Sequence, residues 1–135
     1  VKSLIDYVAF NVLIDDVVYP DGRTQMGQLG GGGPQTGFGM ALWAKADELV
    51  GLSGGIGPDL PEGAQNWLRQ SGLDLEGLRL SELPTPRAWQ VLEYSGRRTQ
   101  IWRLPEEQAF TQLRRSVKRL PGSYLQAQGY HFGIH

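Results

Sequence analysis

The chain has no cysteine among its 135 residues, two methionines and two histidines. The missing cysteines exclude disulfides, thiolate catalysis and thiolate metal sites, and they fit a reducing compartment. Charge of either sign is also not in excess: 13 Lys and Arg stand against 14 Asp and Glu, for a formal net charge of −1. That balance supplies no bulk attraction to nucleic acid or to an anionic membrane. No apolar run reaches the ~18 residues of a membrane span, and no signal-peptide pattern opens the chain. The phosphate-binding spacings G-x-G-x-x-G and G-x-x-x-x-G-K-[ST] are both missing, as is a nucleophile elbow. The expected setting is soluble and cytoplasmic, or an organelle if a targeting segment preceded Val1. Because the chain begins on Val1 and ends on the apolar stretch Tyr130 to His135, it is expected to be a processed product or a piece of something longer.

What is present is glycine, 19 residues of it, with four in a row at Gly30 to Gly33. Pro34-Gln35-Thr36 and a small-residue helix start follow at once. Glycine permits positive φ and lets a ligand approach the main chain, and a helix start presents free N–H groups to oxygen-rich ligands. The run therefore suggests a polyol or phosphate site, against the plainer reading of a flexible turn.

Around it, the apolar pattern predicts a strand over Leu4–Phe10 with Val12–Ile14 extending or following it, and Asp15-Asp16 interrupting the stretch. Val17–Tyr19 and Thr24–Leu29 flank the turn signal Pro20-Asp21-Gly22. A helix is expected from about Gln35 to Ala46, a short strand at Val50–Ser53, a loop at Gly54–Asp59 and a helix from Leu60 to Ser71. Asp59 and Glu62 are expected to cap that second helix, with Leu60, Ala64, Trp67 and Leu68 on one face and Gly72 as its stop. Ala88–Tyr94 and Thr99–Arg103 around Ser95–Arg98 read as a hairpin. Phe110, Leu113, Val117 and Leu120 predict a third helix ended by Pro121-Gly122. Strands alternating with helices favour an α/β fold with a parallel sheet and added hairpins.

Among candidate functional residues, Asp15 and Asp16 stand at a strand end, where ligands of open α/β sheets bind. A carboxylate there can accept two hydroxyl hydrogens of a polyol; for one of the pair a solvated turn acid is the expected role. Arg97, Arg98 and Arg103 are placed to meet phosphate, against the ordinary role of solvated hairpin arginines. Trp89 and Trp102 are expected to pack. His131 and His135 share a strand face, but no third ligand is nearby for zinc.

Read in order, these segments resemble the N-terminal half of the pfkB (ribokinase-like) carbohydrate kinase family. Asn11-Val12-Leu13-Ile14-Asp15 resembles the family's first strand with its substrate-binding Asp. Gly31-Gly32-Gly33-Pro34-Gln35-Thr36 resembles its Gly-Gly-x-x-x-Asn signature, with Thr in place of Asn. Val50-Gly51 with Ile56-Gly57-Pro58-Asp59, Trp67 to Asp74, and Pro84-Thr85-Pro86-Arg87-Ala88 with Gly96-Arg97-Arg98 resemble later motifs, the last being the lid hairpin. Tyr130 to Ile134 resembles the next sheet strand.

The resemblance implies a Rossmann-like three-layer α/β sandwich over residues 1–135, with lid hairpins near 15–30 and 88–103. It implies transfer of the ATP γ-phosphoryl group, with Mg²⁺, to a hydroxyl of a sugar or nucleoside. Asp15, Gly31, Gly32 and Thr36 would line the acceptor pocket. The family's Gly-Ala-Gly-Asp catalytic segment has no counterpart here, so the ATP-binding C-terminal half is expected to be absent and no catalytic residue is assigned. Expected partners are the remaining half or a covering protein chain, and a second copy through the lid. Thr36 and the missing segment leave a second reading open, a non-catalytic kinase-like scaffold that binds protein.

Overall fold

A computed structural model of the protein describes residues 3–133. Its frame is a four-stranded parallel sheet in the order β5-β4-β1-β8, made of β1 (Tyr7–Phe10), β4 (Val50–Ile56), β5 (Leu78–Leu80) and β8 (Gly129–His131). β1 pairs in parallel with β4 (Val8 opposite Gly51) and with β8 (Val8 opposite Tyr130). A central parallel strand is covered on both faces, so its sequence is apolar throughout. Alternate side chains of β1 feed two separate cores. Ala9 joins Val50, Leu52, Ala64 and Leu68 on one face, and Val8 and Phe10 join Ile5 and Tyr124 on the other.

Helix α1 (Gly32–Trp43) and helix α2 (Glu62–Gln70) serve the first face, where Gly37 lies against Leu73 and Ala9. Helix α3 (Glu106–Leu113) and the turn carrying Tyr124 serve the second, with Gln112 against Gly55 of β4. The buried Tyr124 hydroxyl donates to Asp74 Oδ1 at 2.6 Å and accepts from Gly77 N at 3.2 Å, tying this layer to the strand edge. Burial, together with the bond to Asp74, raises its pKa above the ordinary tyrosine value.

A second sheet, order β3-β2-β6-β7, is built from two antiparallel hairpins, β2 (Leu13–Val18) with β3 (Thr24–Gly30) and β6 (Arg87–Leu92) with β7 (Arg98–Trp102). β2 and β6 run parallel, Asp15 opposite Ala88 and Asp16 opposite Trp89.

Several expected boundaries move. Asp15 and Asp16 do not break a strand; they lie inside β2, in the second sheet and not at the end of β1. α1 starts at Gly32, three residues before the expected Gln35, and ends at Trp43. β4 continues through the expected loop residues Gly54 and Gly55. Asp59 does not cap α2, whose first turn follows Pro61 without a side-chain cap; its Oδ1 instead accepts from Thr85 N at 2.8 Å, fixing the Pro84–Pro86 segment that leads into β6. The third helix stops at Leu113, and only a short 3-10 turn covers Val117–Arg119. Phe110 and Val117 are both exposed, so their helical spacing does not mark a buried face. Ile134 and His135, the end of the expected last strand, lie outside the described residues.

Candidate functional site

Where β1 ends, the chain must leave the parallel sheet, cross to β2 and return from β3 into α1. Asn11 makes the first bend with φ 78°, a left-handed conformation uncommon for a residue with a side chain. Its amide donates to Ser53 O at 2.7 Å, and its carbonyl accepts from Gly33 N at 2.9 Å, closing the start of α1 onto the end of β1. Gly31 makes the return bend with φ 85°, and a Cβ there would lie 2.9 Å from both Asn11 O and Leu13 N. The glycine run is thus needed first for packing between its own chain segments.

These crossings enclose a cavity of about 310 Å³, near the lower end of the ~300–1,000 Å³ typical of ligand pockets. Asn11, Leu13 and Asp15 line it from the β1–β2 side, and Gly30, Gly31, Gly32 and Gln35 from the turn and first turn of α1. Gln90, Arg98 and Gln100 close it from the second hairpin, and Gly133 from beyond β8. Of the residues expected to bind an acceptor, Asp15, Gly31 and Gly32 therefore stand on the cavity wall. Thr36 is half-buried one residue further along α1 and is not among the lining residues; the amide of Gln35 is there in its place.

Asp15 is seated by three neighbours. Gln90 Nε2 donates to its Oδ1 at 3.0 Å and to Gln100 Oε1 at 2.9 Å. Gly30 leaves room for the carboxylate, since a Cβ there would come within 1.9 Å of Asp15 Oδ2. Burial raises the Asp15 pKa above the usual carboxylate value, with the Gln90 hydrogen bond and the charge of Arg98 working against the rise. Gln90 itself is only 6% exposed, and its Oε1 finds no hydrogen-bond partner among the described residues. A buried acceptor left unpaired costs on the order of 1–3 kcal/mol.

Asp16 faces the other way. It is fully buried, not the solvated turn acid expected of one of the pair. Arg87 holds it through Nε at 2.6 Å and through its terminal nitrogen at 2.9 Å, and Arg103 adds a bond of 2.6 Å. Its Oδ1 also accepts from Gly27 N at 2.8 Å. That amide belongs to a bulge: between the pairs Asp15–Gln28 and Val17–Gln25, Met26 and Gly27 of β3 oppose Asp16 alone. Asp15 and Asp16, consecutive in β2, face opposite sides of the sheet by the ordinary pleat, and the bulge in β3 brings the Gly27 amide onto Asp16. Burial pushes the Asp16 carboxyl up, but the bonds from Arg87, Gly27 and Arg103 outweigh it and hold the group well below the usual range. Arg103 is thus not a solvated hairpin arginine, and its guanidinium also stacks 4.3 Å from the Trp89 ring centroid.

The sequence pointed to Asp15 and the glycines, but not to Gln35, Gln90 or Gln100. Their only advance signal is position, Gln90 alternating with Trp89 in β6 and Gln100 with Ile101 in β7. His131 is exposed on β8, and no group of three or more His, Cys, Asp or Glu among the described residues is placed to hold a metal ion. No helix among the described residues is long and apolar enough to cross a membrane.

No protein-family model matches the sequence, and no curated protein matches it. Solved structures do match, and they define a ribokinase-like α/β fold. The fructokinase of Halothermothrix orenii superposes with a TM-score of 0.60 at 14% identity, over 74% of this chain and 38% of its own. The ribokinase of Cryptococcus neoformans, solved with ADP, gives 0.52 at 22% identity over 73% and 34%. A nucleoside kinase of Methanocaldococcus jannaschii, an archaeal member of the ribokinase family, gives 0.53 at 16% identity over 75% and 38%. The chain spans about a third of the length of these kinases.

Proposed function

We propose that this chain forms the acceptor-substrate side of a carbohydrate or nucleoside kinase that transfers the ATP γ-phosphoryl group to a substrate hydroxyl. The observation that carries the reading is the seating of Asp15: a half-buried carboxylate, fixed by Gln90 and cleared by Gly30, on the wall of a cavity between the parallel sheet and the second sheet. An ionised carboxylate only accepts hydrogen bonds, so it suits a ligand rich in hydroxyls. Gly31 and Gly32 bring main chain to the same wall, and Gln35, next to Thr36, restores there the amide that the signature Asn carries in the resembling family.

In this reading the second sheet is a lid. Asp15 orients the acceptor, and the sheet above it excludes water, which matters because water competes with the acceptor for the phosphoryl group. ATP and Mg²⁺ would supply and neutralise that group. The described residues contain neither a carboxylate cluster nor a phosphate-binding glycine spacing suited to hold them, so the general base and the anion-stabilising segment are assigned to protein outside these 135 residues.

The exposed apolar groove beside β8, with Val117, Leu125 and Phe132 around the edge of Phe10, supports a remaining part of the protein, or a covering chain, packing there. Isothermal titration of the full-length protein with sugars, nucleosides and ATP tests the proposal. Saturable binding of ATP and of at least one acceptor is expected; binding of neither removes the kinase reading and leaves the scaffold one.

A further inference from the structure

Helix α1 is apolar on the side that is covered and on the side that is not. Gly33, Pro34 and Gly37 are buried, while Phe38, Leu42 and Trp43 are exposed. No charged residue occurs between Arg23 and Lys45, so the outer face of the helix carries none. A surface helix ordinarily turns charged side chains outward, and one that is apolar all round is covered all round. The patch continues onto α2, where the Trp67 ring centroid lies 5.8 Å from that of Phe38. Gly39 leaves a gap in it, since a Cβ there would meet nothing within 4 Å.

We propose that this face is an interface between two copies of the chain, with α1 packed against its own counterpart about a twofold axis near Gly39. Area, charge and shape all favour a second copy as the occupant. Trp43 is 91% exposed, Leu42 70%, Phe38 41% and Trp67 37%. With aromatic side chains of roughly 150–250 Å² each, the three rings alone present about 400 Å² of apolar surface, and Leu42 adds to it. An interface of ordinary size takes about 800 Å² from each partner, of which about 57% is apolar, or about 450 Å². The patch therefore supplies the apolar share of a stable dimer. In a twofold interface the same surface meets itself, so a face charged with one sign would repel its copy. This face is neutral, and charge returns only past the end of α1, in both signs, at Lys45 and Asp47. Gly39 lets a second helix approach closely, with Phe38 and Leu42 as the ridges on either side of the gap. The inference does not rest on the reading of the cavity.

The test is sedimentation equilibrium of the full-length protein, wild type, Gly39→Arg and Leu42→Glu. Neither position packs inside its own chain, so both variants are expected to keep the far-ultraviolet circular dichroism of the wild type, and Gly39→Arg favours the helix besides. The wild type is expected to be a dimer at about 10 μM chain, and each substitution to weaken dimerisation tenfold or more. A wild type that stays monomeric at about 100 μM overturns the inference. So does a dimer that either substitution leaves undiminished; persistence through both would put the second copy on another surface, such as the lid hairpins. None of these outcomes touches the acceptor reading, which titration with sugars and ATP decides separately.

Discussion

Replacing Asp16 by Asn should loosen the whole second sheet. The substitution keeps the volume and one acceptor oxygen, but it removes the negative charge from a fully buried position that receives four hydrogen bonds. Each carboxylate oxygen accepts two of the four bonds, so two donors must then face an NH₂ group, and two guanidinium groups lose their counter-ion. Breaking a buried pair by removing one partner costs about 3–5 kcal/mol. The side chains of Arg87 and Arg103 are 31% and 33% exposed, so water recovers part of their solvation; about 3 kcal/mol is the working figure. That is a large share of the roughly 5–15 kcal/mol by which a domain is stable.

Urea unfolding of wild type and Asp16→Asn, followed by tryptophan fluorescence, measures it directly. Trp89 and Trp102 lie in the affected sheet and report on it. Arg87→Gln should cost more than Arg103→Gln, because Arg87 makes two of the bonds and Arg103 one. The pH dependence has a fixed sign. The native carboxyl titrates below its unfolded value, so its contribution is complete above the ordinary carboxylate pKa of about 4 and is lost as pH falls through the lower native value. The difference between wild type and Asp16→Asn should therefore be flat at neutral pH and shrink only in strong acid. A loss below about 1 kcal/mol, or equal costs for the two arginines, would show that the Asp16 network does not anchor the sheet.

Two further substitutions probe the cavity wall. Gly30→Ala places a methyl group where the Asp15 carboxylate sits, so it should weaken acceptor binding tenfold or more, while far-ultraviolet circular dichroism stays that of the wild type; titration with the best acceptor reads it. Asp15→Asn should abolish acceptor binding yet leave the protein at least as stable at neutral pH. The native Asp15 pKa is raised, so ionisation opposes folding above it, and the stability difference should vanish as pH falls below the unfolded carboxylate value of about 4, as thermal melts at pH 3 and pH 7 would show.

Much of the frame was legible in the sequence, because central strands and the face of α2 carry long local patterns. Ala64 and Leu68 are buried as their spacing predicts, and Gly72 stops the helix with φ 78°. What local pattern could not show was decided by distant contacts. Asp15-Asp16 looks like a break until Arg87 and Arg103, 71 and 87 residues on, neutralise one of the pair inside a strand. Gly54 and Gly55 look like a loop, yet they continue β4 by pairing with Leu78 and Arg79 of β5, and at Gly55 the backbone of Gln112 lies too close for a side chain. The start of α1 is fixed by the carbonyl of Asn11 and not by the helix propensity of its glycines. The glutamines of the cavity carry no local signal; only pairing β6 with β2 and β7 brings Gln90 to Asp15 and Gln100.

The role proposed for Asp15 is to hold the acceptor of a phosphoryl transfer. The most direct measurement is transfer of radiolabel from γ-labelled ATP to a panel of sugars, sugar acids and nucleosides by the full-length protein, wild type against Asp15→Asn. Labelling of at least one acceptor is expected, with kcat/KM lowered about 100-fold or more in Asp15→Asn, the equivalent of roughly 2.7 kcal/mol of lost transition-state binding. Labelling that survives Asp15→Asn undiminished, or no labelling of any acceptor, would contradict it.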